Sequence, residues 1–272
     1  MTDSSSLHWS SASRTHVGMV RKLNEDACLE LAGRGIWAVA DGMGGHAAGD
    51  FASRSVVEAL AGIPEAASLG ALVNEVHQRL QAVNDNLAME ARKRQVQVIG
   101  STAAVLLVFG DHAVAVWAGD SRVYRYRQGK FEQLTRDHSQ VELLLSQGLI
   151  TPEQAEHYPG SNVITRAVGV MDQLELDSEM FEVLEGDSFL LCSDGLYNEV
   201  NASEMTESLA VGDCRYSCDL LVERALARGA RDNVTVVVVR ALDEAQITRT
   251  QLNPSVSVAT GVSKDDDPTA LK

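Results

Sequence analysis

The chain has 272 residues, with 38 acidic and 23 basic side chains and a net charge of −15. Its length suffices for a buried core without disulfides, and its composition, 45% hydrophobic and 22% charged, is typical of a soluble globular protein. The negative charge argues against binding to nucleic acids or to anionic membrane surfaces, since both require clustered Lys and Arg.

The first half of the chain alternates short apolar runs with amphipathic segments. The run 36–40 ends at an Asp-Gly pair, which predicts a buried strand that enters a loop. A helical pattern covers 47–60, and a second helix places the apolar residues of 69–87 on one face. The β-branched runs 102–109 and 113–118 are separated by Gly-Asp, which predicts an antiparallel hairpin.

The middle of the chain continues with strand and helix signals. A second hairpin is predicted over 122–134, and a short helix over 137–147, capped by Asp137. The apolar run 189–193 predicts another buried strand, and it too ends at Asp-Gly.

The last third completes the predicted domain. Segment 214–228 is an amphipathic helix, and the valine-rich run 234–239 predicts a strand covered on both faces. Hairpin strands with helices grouped in pairs favour an α+β sandwich with the helices outside. Residues 1–242 are predicted to form one domain. Residues 243–272 lack aromatic residues and periodicity, which predicts a disordered tail.

The four cysteines contain no CxxC pair, and the first residues carry neither a basic start nor an apolar stretch. These features predict reduced thiols, no signal peptide and a cytoplasmic protein. The sequence carries no sign of an oligomer, so a monomer is the default expectation.

Four aspartates lie where an apolar run meets a loop: Asp41, Asp120, Asp194 and Asp232. One Asp-Gly pair is usually a simple turn, but several carboxylates at core strand ends are costly without a partner. They lack an accompanying set of His or Cys ligands, so Mg²⁺ or Mn²⁺ is the predicted partner. Arg21 could bind a phosphate in bidentate fashion or form an ordinary surface ion pair.

The glycine-rich loop after Asp41 has two interpretations. From Gly42 it reads G-x-G-x-x-A, which imitates a dinucleotide-binding fingerprint. However, Asp41 would then place a carboxylate beside the pyrophosphate, and two helices follow rather than a strand. Glycines that let a backbone carbonyl approach a metal ion explain the loop as well.

Seven short motifs follow one another between residues 21 and 235. They are Arg21-x-x-Asn24-Glu25-Asp26, Asp41-Gly42-Met43-Gly44-Gly45, Gly100-Ser101-Thr102-Ala103, Gly119-Asp120-Ser121-Arg122, Thr165-Arg166-Ala167-Val168-Gly169, Ser193-Asp194-Gly195-Leu196 and Asp232-Asn233-Val234-Thr235. This ordered set resembles the metal-dependent Ser/Thr protein phosphatases of the 2C type (PPM family), in their compact bacterial form. The resemblance covers about residues 7–242 and implies a four-layer sandwich, with two antiparallel sheets between outer helices.

The resemblance also implies a metal site with two Mn²⁺ or Mg²⁺ ions and a third ion. Asp41 would bridge two ions. Asp194 and Asp232 would complete the coordination of one, and the carbonyl of Gly42 that of the other. Asp120, with Asp194, matches the additional metal site of bacterial members.

Further roles follow from the same resemblance. Arg21 would bind the substrate phosphate, and Asn233 would support the metal cluster. Glu25 and Asp26 would hold metal-bound waters. Segment 137–163 corresponds to the flap of the family, a variable element near the site that affects substrate handling.

The implied reaction is hydrolysis of a phosphate ester by a metal-activated water, without a phosphoenzyme. Many eukaryotic relatives have a His directly after the Asp-Gly pair, where it is proposed to protonate the leaving oxygen. This chain has Met43 at that position. His46 follows three residues later and could instead simply begin the helix, so the general acid is unassigned.

The leading hypothesis is therefore a phosphoprotein phosphatase whose partners are phosphorylated proteins and a cognate bacterial Ser/Thr kinase. One alternative is a catalytically silent member that binds phosphoproteins as a scaffold. Another is a phosphatase of a sigma-factor partner switch, which acts on a phosphoserine of a small regulator. The dinucleotide interpretation predicts affinity for a nicotinamide cofactor and no requirement for metal.

Overall fold

The computed structural model describes residues 7–44, 48–155, 158, 160 and 163–242. The strands are β1 His8–His16, β2 Asp26–Leu31, β3 Ile36–Met43, β4 Gly100–Ser101, β5 Ala103–Phe109, β6 His112–Ala118, β7 Arg122–Arg127, β8 Lys130–Gln133, β9 Asp177–Glu182, β10 Ser188–Cys192 and β11 Val234–Leu242. The α-helices are α1 Ala48–Ala61, α2 Leu69–Arg94, α3 Gln140–Ser146, α4 Pro152–Ala155, α5 Asp194–Tyr197, α6 Ala202–Ala210 and α7 Cys214–Ala227.

The strands form two antiparallel sheets that pack face to face. One sheet has the order β1-β11-β10-β7-β8, and the other has the order β2-β3-β5-β6-β9, with β4 paired to β3. Helices α1 and α2 cover the outer face of the second sheet, and α5, α6 and α7 cover that of the first. The predicted α+β sandwich with four layers is confirmed.

The two-residue period of the strands divides the core into three apolar layers. In β3, Trp37 and Val39 face the opposite sheet, whereas Ile36 and Ala38 face the helices. The valine-rich strand β11 behaves likewise and buries both of its faces, as its composition predicted. The ends of these buried strands therefore have fixed positions on which a site can be built.

The structure corrects two local predictions. Strand β3 does not end before Asp41 but continues to Met43. The predicted cap Asp137 does not cap α3, because both of its carboxylate oxygens accept hydrogen bonds from Arg122. Ser139 caps α3 instead, with its hydroxyl accepting from the backbone of Glu142.

The other predictions about organisation concern the chain ends and the thiols. The proposed tail 243–272 lies outside the described residues. All four cysteines lie within the described ranges and form no disulfide. None of the helices in those ranges is long and apolar enough to cross a membrane.

Candidate metal centre

Five aspartates meet at one end of the sandwich, which we call the carboxylate end. Asp26 and Asp41 are cross-strand partners in β2 and β3. Asp194 lies two residues after β10, and Asp232 lies two residues before β11, the antiparallel neighbour of β10. Asp120 follows β6, and its charge acts on Asp41 together with those of the other three. The two sheets thus bring together carboxylates from distant parts of the chain.

Burial and mutual repulsion raise the pKa values of these carboxyls. Burial is the largest cause, and it acts with the neighbouring negative charges to raise the pKa of Asp26 to about 7 and that of Asp194 to about 6. The pKa of Asp120 is raised to about 7, and that of Asp41 well above its ordinary range. Such a cluster favours either bound protons or a bound cation.

Several oxygens at the carboxylate end have no hydrogen-bond partner within the described structure. They are Oε1 of Glu25, Oδ1 of Asp26 and Oδ1 of Asp194, all buried. Buried acceptors without a donor are rare and call for a bound species. A hydrated Mg²⁺ or Mn²⁺ ion fits, because such ions take oxygen ligands and keep several waters that donate hydrogen bonds.

The protein side chains alone do not form a finished coordination shell. Among the described residues, no three or more His, Cys, Asp or Glu side chains are arranged so that they could hold a metal ion between them. One reason is visible at Asp232, whose Oδ2 accepts a hydrogen bond of 2.7 Å from Nη2 of Arg21. The oxygen chemistry therefore fits hydrated divalent ions held partly through water and backbone carbonyls.

Asp41 is held in place by Thr102. The backbone N–H of Asp41 donates to Oγ1 of Thr102 at 2.9 Å, and the N–H of Thr102 donates to the carbonyl of Asp41 at 2.8 Å. Next to it, Gly42 has no room for a side chain, because a Cβ would collide with the carbonyl of Gly49 and lie 2.7 Å from that of Glu25. The glycine is thus required for close packing of α1 on β3.

Asn233 ties the loop that carries Arg21 and Glu25 to β11. Its Oδ1 accepts from the backbone N–H of Glu25 at 2.8 Å, and its Nδ2 donates to the carbonyls of Val17 and Leu23, both at 2.9 Å. Both N–H groups and the oxygen of this buried amide thus bind the loop. The position of Glu25 therefore depends on Asn233.

Two neighbouring cavities open at the carboxylate end. The first, of about 480 Å³, is lined by Arg21, Asp194, Gly195, Asn198, Glu199, Arg231 and Asp232. The second, of about 580 Å³, extends from Asp120 to the segment after Asp137 and shares Asn198 with the first. The guanidinium of Arg21 is half exposed and reaches the first cavity, so a phosphate entering there meets a cation beside the carboxylates.

Tyr197 and Arg122 position Asp120 from one side. The hydroxyl of Tyr197 donates to the carbonyl of Asp120 at 3.0 Å. The guanidinium of Arg122 lies 3.5 Å from the centre of the Tyr197 ring and also forms the bidentate ion pair with Asp137. These contacts connect Asp120 to the start of the predicted flap.

The structure brings the described site residues of the sequence analysis to the carboxylate end, and His46 lies outside the described residues. The sequence analysis missed three positioning groups. Thr102 and Ser193 lie within motifs but carried no assigned role, although Oγ of Ser193 donates to Asp26 at 2.7 Å. Tyr197 carried no signal at all, because an aromatic residue after Asp-Gly-Leu is typical of an ordinary short helix.

Residues 19–217 match the family described as Protein phosphatase 2C. The chain belongs to this family. The serine/threonine protein phosphatase PstP of Mycobacterium tuberculosis is 37% identical over 261 residues, which are 96% of this chain but 49% of PstP. This chain therefore spans about half the length of that relative. The protein phosphatase PhpP of Streptococcus pneumoniae is 35% identical over 85% of this chain and 96% of PhpP.

Solved structures agree with this assignment. PppA, described as a key regulatory component of the T6SS in Pseudomonas aeruginosa, aligns with a TM-score of 0.82 and 49% identity, over 87% of this chain and 99% of PppA. The catalytic domain of PstP in complex with two manganese ions aligns with a TM-score of 0.79 and 36% identity, over 87% of this chain and 100% of that domain.

These findings confirm the predicted family, fold and enzyme class, so the described domain is a metal-dependent Ser/Thr protein phosphatase domain of the 2C type. They favour the metal interpretation of the glycine-rich loop over the dinucleotide interpretation.

Proposed function

We propose that this protein removes phosphate from phosphoserine and phosphothreonine in proteins, and that the carboxylate end is its catalytic centre. The observation that supports this most directly is the set of buried carboxylate oxygens without partners, which lies beside a cavity lined by Arg21. An anionic pocket alone would repel a phosphate. With divalent cations bound and an arginine at the rim, the same pocket attracts one.

Two ions would be held by the carboxylates of Asp41, Asp194 and Asp232 and by the carbonyl of Gly42. Asp120, together with Asp194, would hold a third. When bound, Mn²⁺ or Mg²⁺ supplies a water of lowered pKa and neutralises charge on the phosphate. The raised pKa values of the carboxyls imply that cation binding displaces protons from them.

Arg21 would leave its ion pair with Asp232 and bind the phosphate. The two partners are 51% and 36% exposed, and such an exposed pair is weak enough to exchange. This exchange would free Oδ2 of Asp232 for metal binding and place the guanidinium against the non-bridging oxygens. Arg21 thereby orients the substrate and offsets charge in the transition state.

Glu25 and Asp26 would accept hydrogen bonds from waters of the metal centre through their unpartnered oxygens. Met43 offers no proton to the leaving oxygen. We propose that a water molecule donates it.

We also propose that the protein acts in the cytoplasm as a monomer, against a cognate Ser/Thr kinase. The relative from Pseudomonas aeruginosa supports type VI secretion as a candidate pathway. Expression of this chain in a strain that lacks that relative tests the assignment. Return of secretion to the level of the parent strain with the wild-type chain, but not with Asp194→Asn, would support it. Secretion that the wild-type chain leaves unchanged would exclude it.

The silent-scaffold alternative requires loss of the metal-binding side chains. Asp41, Asp194 and Asp232 are all present, and they converge as described above, which favours catalysis. A scaffold would bind a phosphothreonine peptide without releasing phosphate from it.

The direct test of the proposed activity is phosphate release from a phosphothreonine peptide in Mn²⁺, Mg²⁺ or chelator. The variant Asp194→Asn is compared with Asp219→Asn, a matched control whose carboxylate pairs with Arg14 away from the carboxylate end. We expect metal-dependent release by the wild type and the control only. Release that persists in chelator or in Asp194→Asn would contradict the proposal.

A further inference from the structure

The turn that carries Asp120 is hydrogen-bonded to His138, a residue outside the predicted metal-binding set. The backbone N–H of His138 donates to the carbonyl of Gly119 at 2.9 Å. In return, the N–H of Gly119 lies 3.1 Å from Nδ1 of His138. His138 is 8% exposed, so this reciprocal pair of hydrogen bonds is largely protected from water.

The hydrogen bond from Gly119 fixes the tautomer of His138. Because Nδ1 accepts a hydrogen bond from a backbone N–H, it carries no proton, and the proton of the neutral ring resides on Nε2. Nε2 lies 3.1 Å from Oδ2 of Asp177, which is the acceptor that this proton needs. The opposite tautomer would place two N–H groups against each other at Gly119.

Arg166 completes the support of the ring. Its Nη1 donates to Oδ1 of Asp177 at 2.7 Å and so fixes the carboxylate that accepts from the ring. The 3.3 Å contact between Nη1 and Nε2 of His138 joins two donors and is not a hydrogen bond in this tautomer. Burial lowers the pKa of His138, and this agrees with a neutral ring between Gly119 and Asp177. The orientation of the imidazole is therefore set by Asp177, which is the first residue of β9.

The turn has little freedom on its other sides. Gly119 adopts a φ of +109°, and a Cβ at that position would lie 2.6 Å from Cγ2 of Thr102. The hydroxyls of Thr102 and Ser121 are 2.7 Å apart, and that of Tyr197 binds the carbonyl of Asp120. His138 supplies the side-chain acceptor for the N–H of Gly119, the residue before Asp120.

His138 also belongs to the base of the predicted flap. Its carbonyl accepts from the N–H of Thr165 at 2.8 Å, and the next residue, Ser139, forms a bridge with Ile164. The outgoing and returning chains of the flap thus meet at the residue that holds the Gly119 turn. The side chain of His138 contacts this turn through the one hydrogen bond between Nδ1 and the N–H of Gly119.

We propose that His138 is a positioning residue for the reaction, which acts through Nδ1 to present the Asp120 carboxylate to a divalent cation, with Asp177 setting the ring. This inference rests on the proposed function, because it assigns Asp120 to a cation site. It adds the group that holds Asp120 ready before the ion arrives. Loss of a hydrogen bond that supports a metal ligand typically weakens metal binding about 10- to 100-fold.

The test compares two amide substitutions of similar size. In His138→Asn the amide oxygen takes the place of Nδ1 and still accepts from Gly119. In His138→Gln the amide lies near the place of Nε2, reaches Asp177, and leaves Gly119 without an acceptor. Mn²⁺ binding by calorimetry and Mn²⁺ dependence of p-nitrophenyl phosphate hydrolysis are both measured, together with the melting temperature.

We expect the Mn²⁺ concentration for half-maximal activity to rise about tenfold in His138→Gln, with matching loss of Mn²⁺ affinity for the weakest site. His138→Asn should stay close to the wild type. In an Asp120→Asn background, His138→Gln should not lower the Mn²⁺ affinity further, because both substitutions act on the same cation site. The proposal would be overturned if the single variants at position 138 bound Mn²⁺ as the wild type does. It would also be overturned if His138→Gln lowered the Mn²⁺ affinity of the Asp120→Asn variant as much as that of the wild type.

Asp177→Asn provides a second route if His138→Gln does not fold. The Asp177 side chain is about half exposed, so its loss is tolerable for folding, yet it releases the imidazole. We expect Asp177→Asn to lower the Mn²⁺ affinity as well, but less than His138→Gln does. Unchanged Mn²⁺ affinity in Asp177→Asn would overturn the proposal. The calorimetric comparison needs no turnover, so a failure of the phosphatase activity itself would show separately.

Discussion

The carboxylate end and the flap segment 137–163 border the same cavity but are held by different means. Four of the five aspartates of the carboxylate end, all except Asp26, lie on or beside strands whose residues are mostly buried between the layers. Helices α3 and α4 of the flap bury no residue. The described flap is fixed chiefly by polar contacts at its base, such as the pair between Arg122 and Asp137.

This difference explains how one fold can keep its chemistry and change its substrates. A carboxylate at the end of a buried strand moves only if the core moves, which costs several kcal/mol. A surface helix without buried residues can change sequence or position at little cost to stability. We therefore expect changes at the carboxylate end to affect turnover itself, and changes in the flap to affect mainly the recognition of proteins.

The largest effect is expected from the carboxylates themselves. Asp41→Asn, Asp194→Asn and Asp232→Asn should each lower turnover by at least about 10³-fold, more than loss of a single electrostatic contact, because an ion loses a charged ligand. The fold should persist, since the amide is isosteric. Steady-state kinetics with circular dichroism checks this, and a variant that retains half the wild-type rate would break the comparison.

Arg21→Ala should have the next largest effect. Loss of a positioned group that stabilises developing charge costs about 10²-fold in turnover, and the phosphate also loses a bidentate partner. Arg21→Lys should recover only part of the loss, because an ammonium cannot bind two phosphate oxygens in a planar fork. Values of kcat/KM for a phosphopeptide measure this, and equal rates for Arg, Lys and Ala at this position would contradict it.

Asp120→Asn should stabilise the metal-free protein at high pH. The folded-state pKa of Asp120 is about 7, above the ordinary 3.8, so the folded state binds the proton more tightly. The stability that this bound proton contributes is therefore lost as the pH rises from about 4 to about 7. Asn cannot ionise, and so the variant should melt at least about 2 °C above the wild type at pH 8, since each kcal/mol of stability corresponds to about 2–4 °C.

The stabilisation of Asp120→Asn has a clear control. It should shrink as the pH falls toward 5, and Mn²⁺ should reverse its sign at pH 8 because the wild type binds the ion more tightly. Thermal melts in chelator and in Mn²⁺ at several pH values check both statements. If the difference in melting temperature between the variant and the wild type did not depend on pH, ionised Asp120 would not destabilise the folded protein.

The smallest effect is expected from the flap. Leu143 and Leu149 are 49% and 65% exposed apolar residues in or next to α3. The double variant Leu143→Ser/Leu149→Ser should leave hydrolysis of p-nitrophenyl phosphate within about twofold, because exposed substitutions rarely exceed 0.5 kcal/mol. We expect a several-fold rise in KM for a phosphoprotein. Loss of activity toward the small substrate would place the flap within the chemical machinery.

The same contrast accounts for what the sequence alone could predict. The strands and the carboxylates that follow them were predictable, because apolar runs that end in Asp-Gly are local signals. The cap at Asp137 was predicted wrongly, because its carboxylate is taken by Arg122, fifteen residues away along the chain. The roles of Thr102 and His138 had no local signal at all, since they depend on contacts between distant strands and loops.

The most direct test of the central claim is a count of the Mn²⁺ ions bound to the metal-free protein by calorimetry at pH 7.5. The wild type and the control Asp219→Asn should bind at least two ions and release protons as they bind, because the carboxyls have raised pKa values. Asp194→Asn should lose one or more of these sites. Equal Mn²⁺ binding by all three proteins would show that the carboxylate end is not the metal centre.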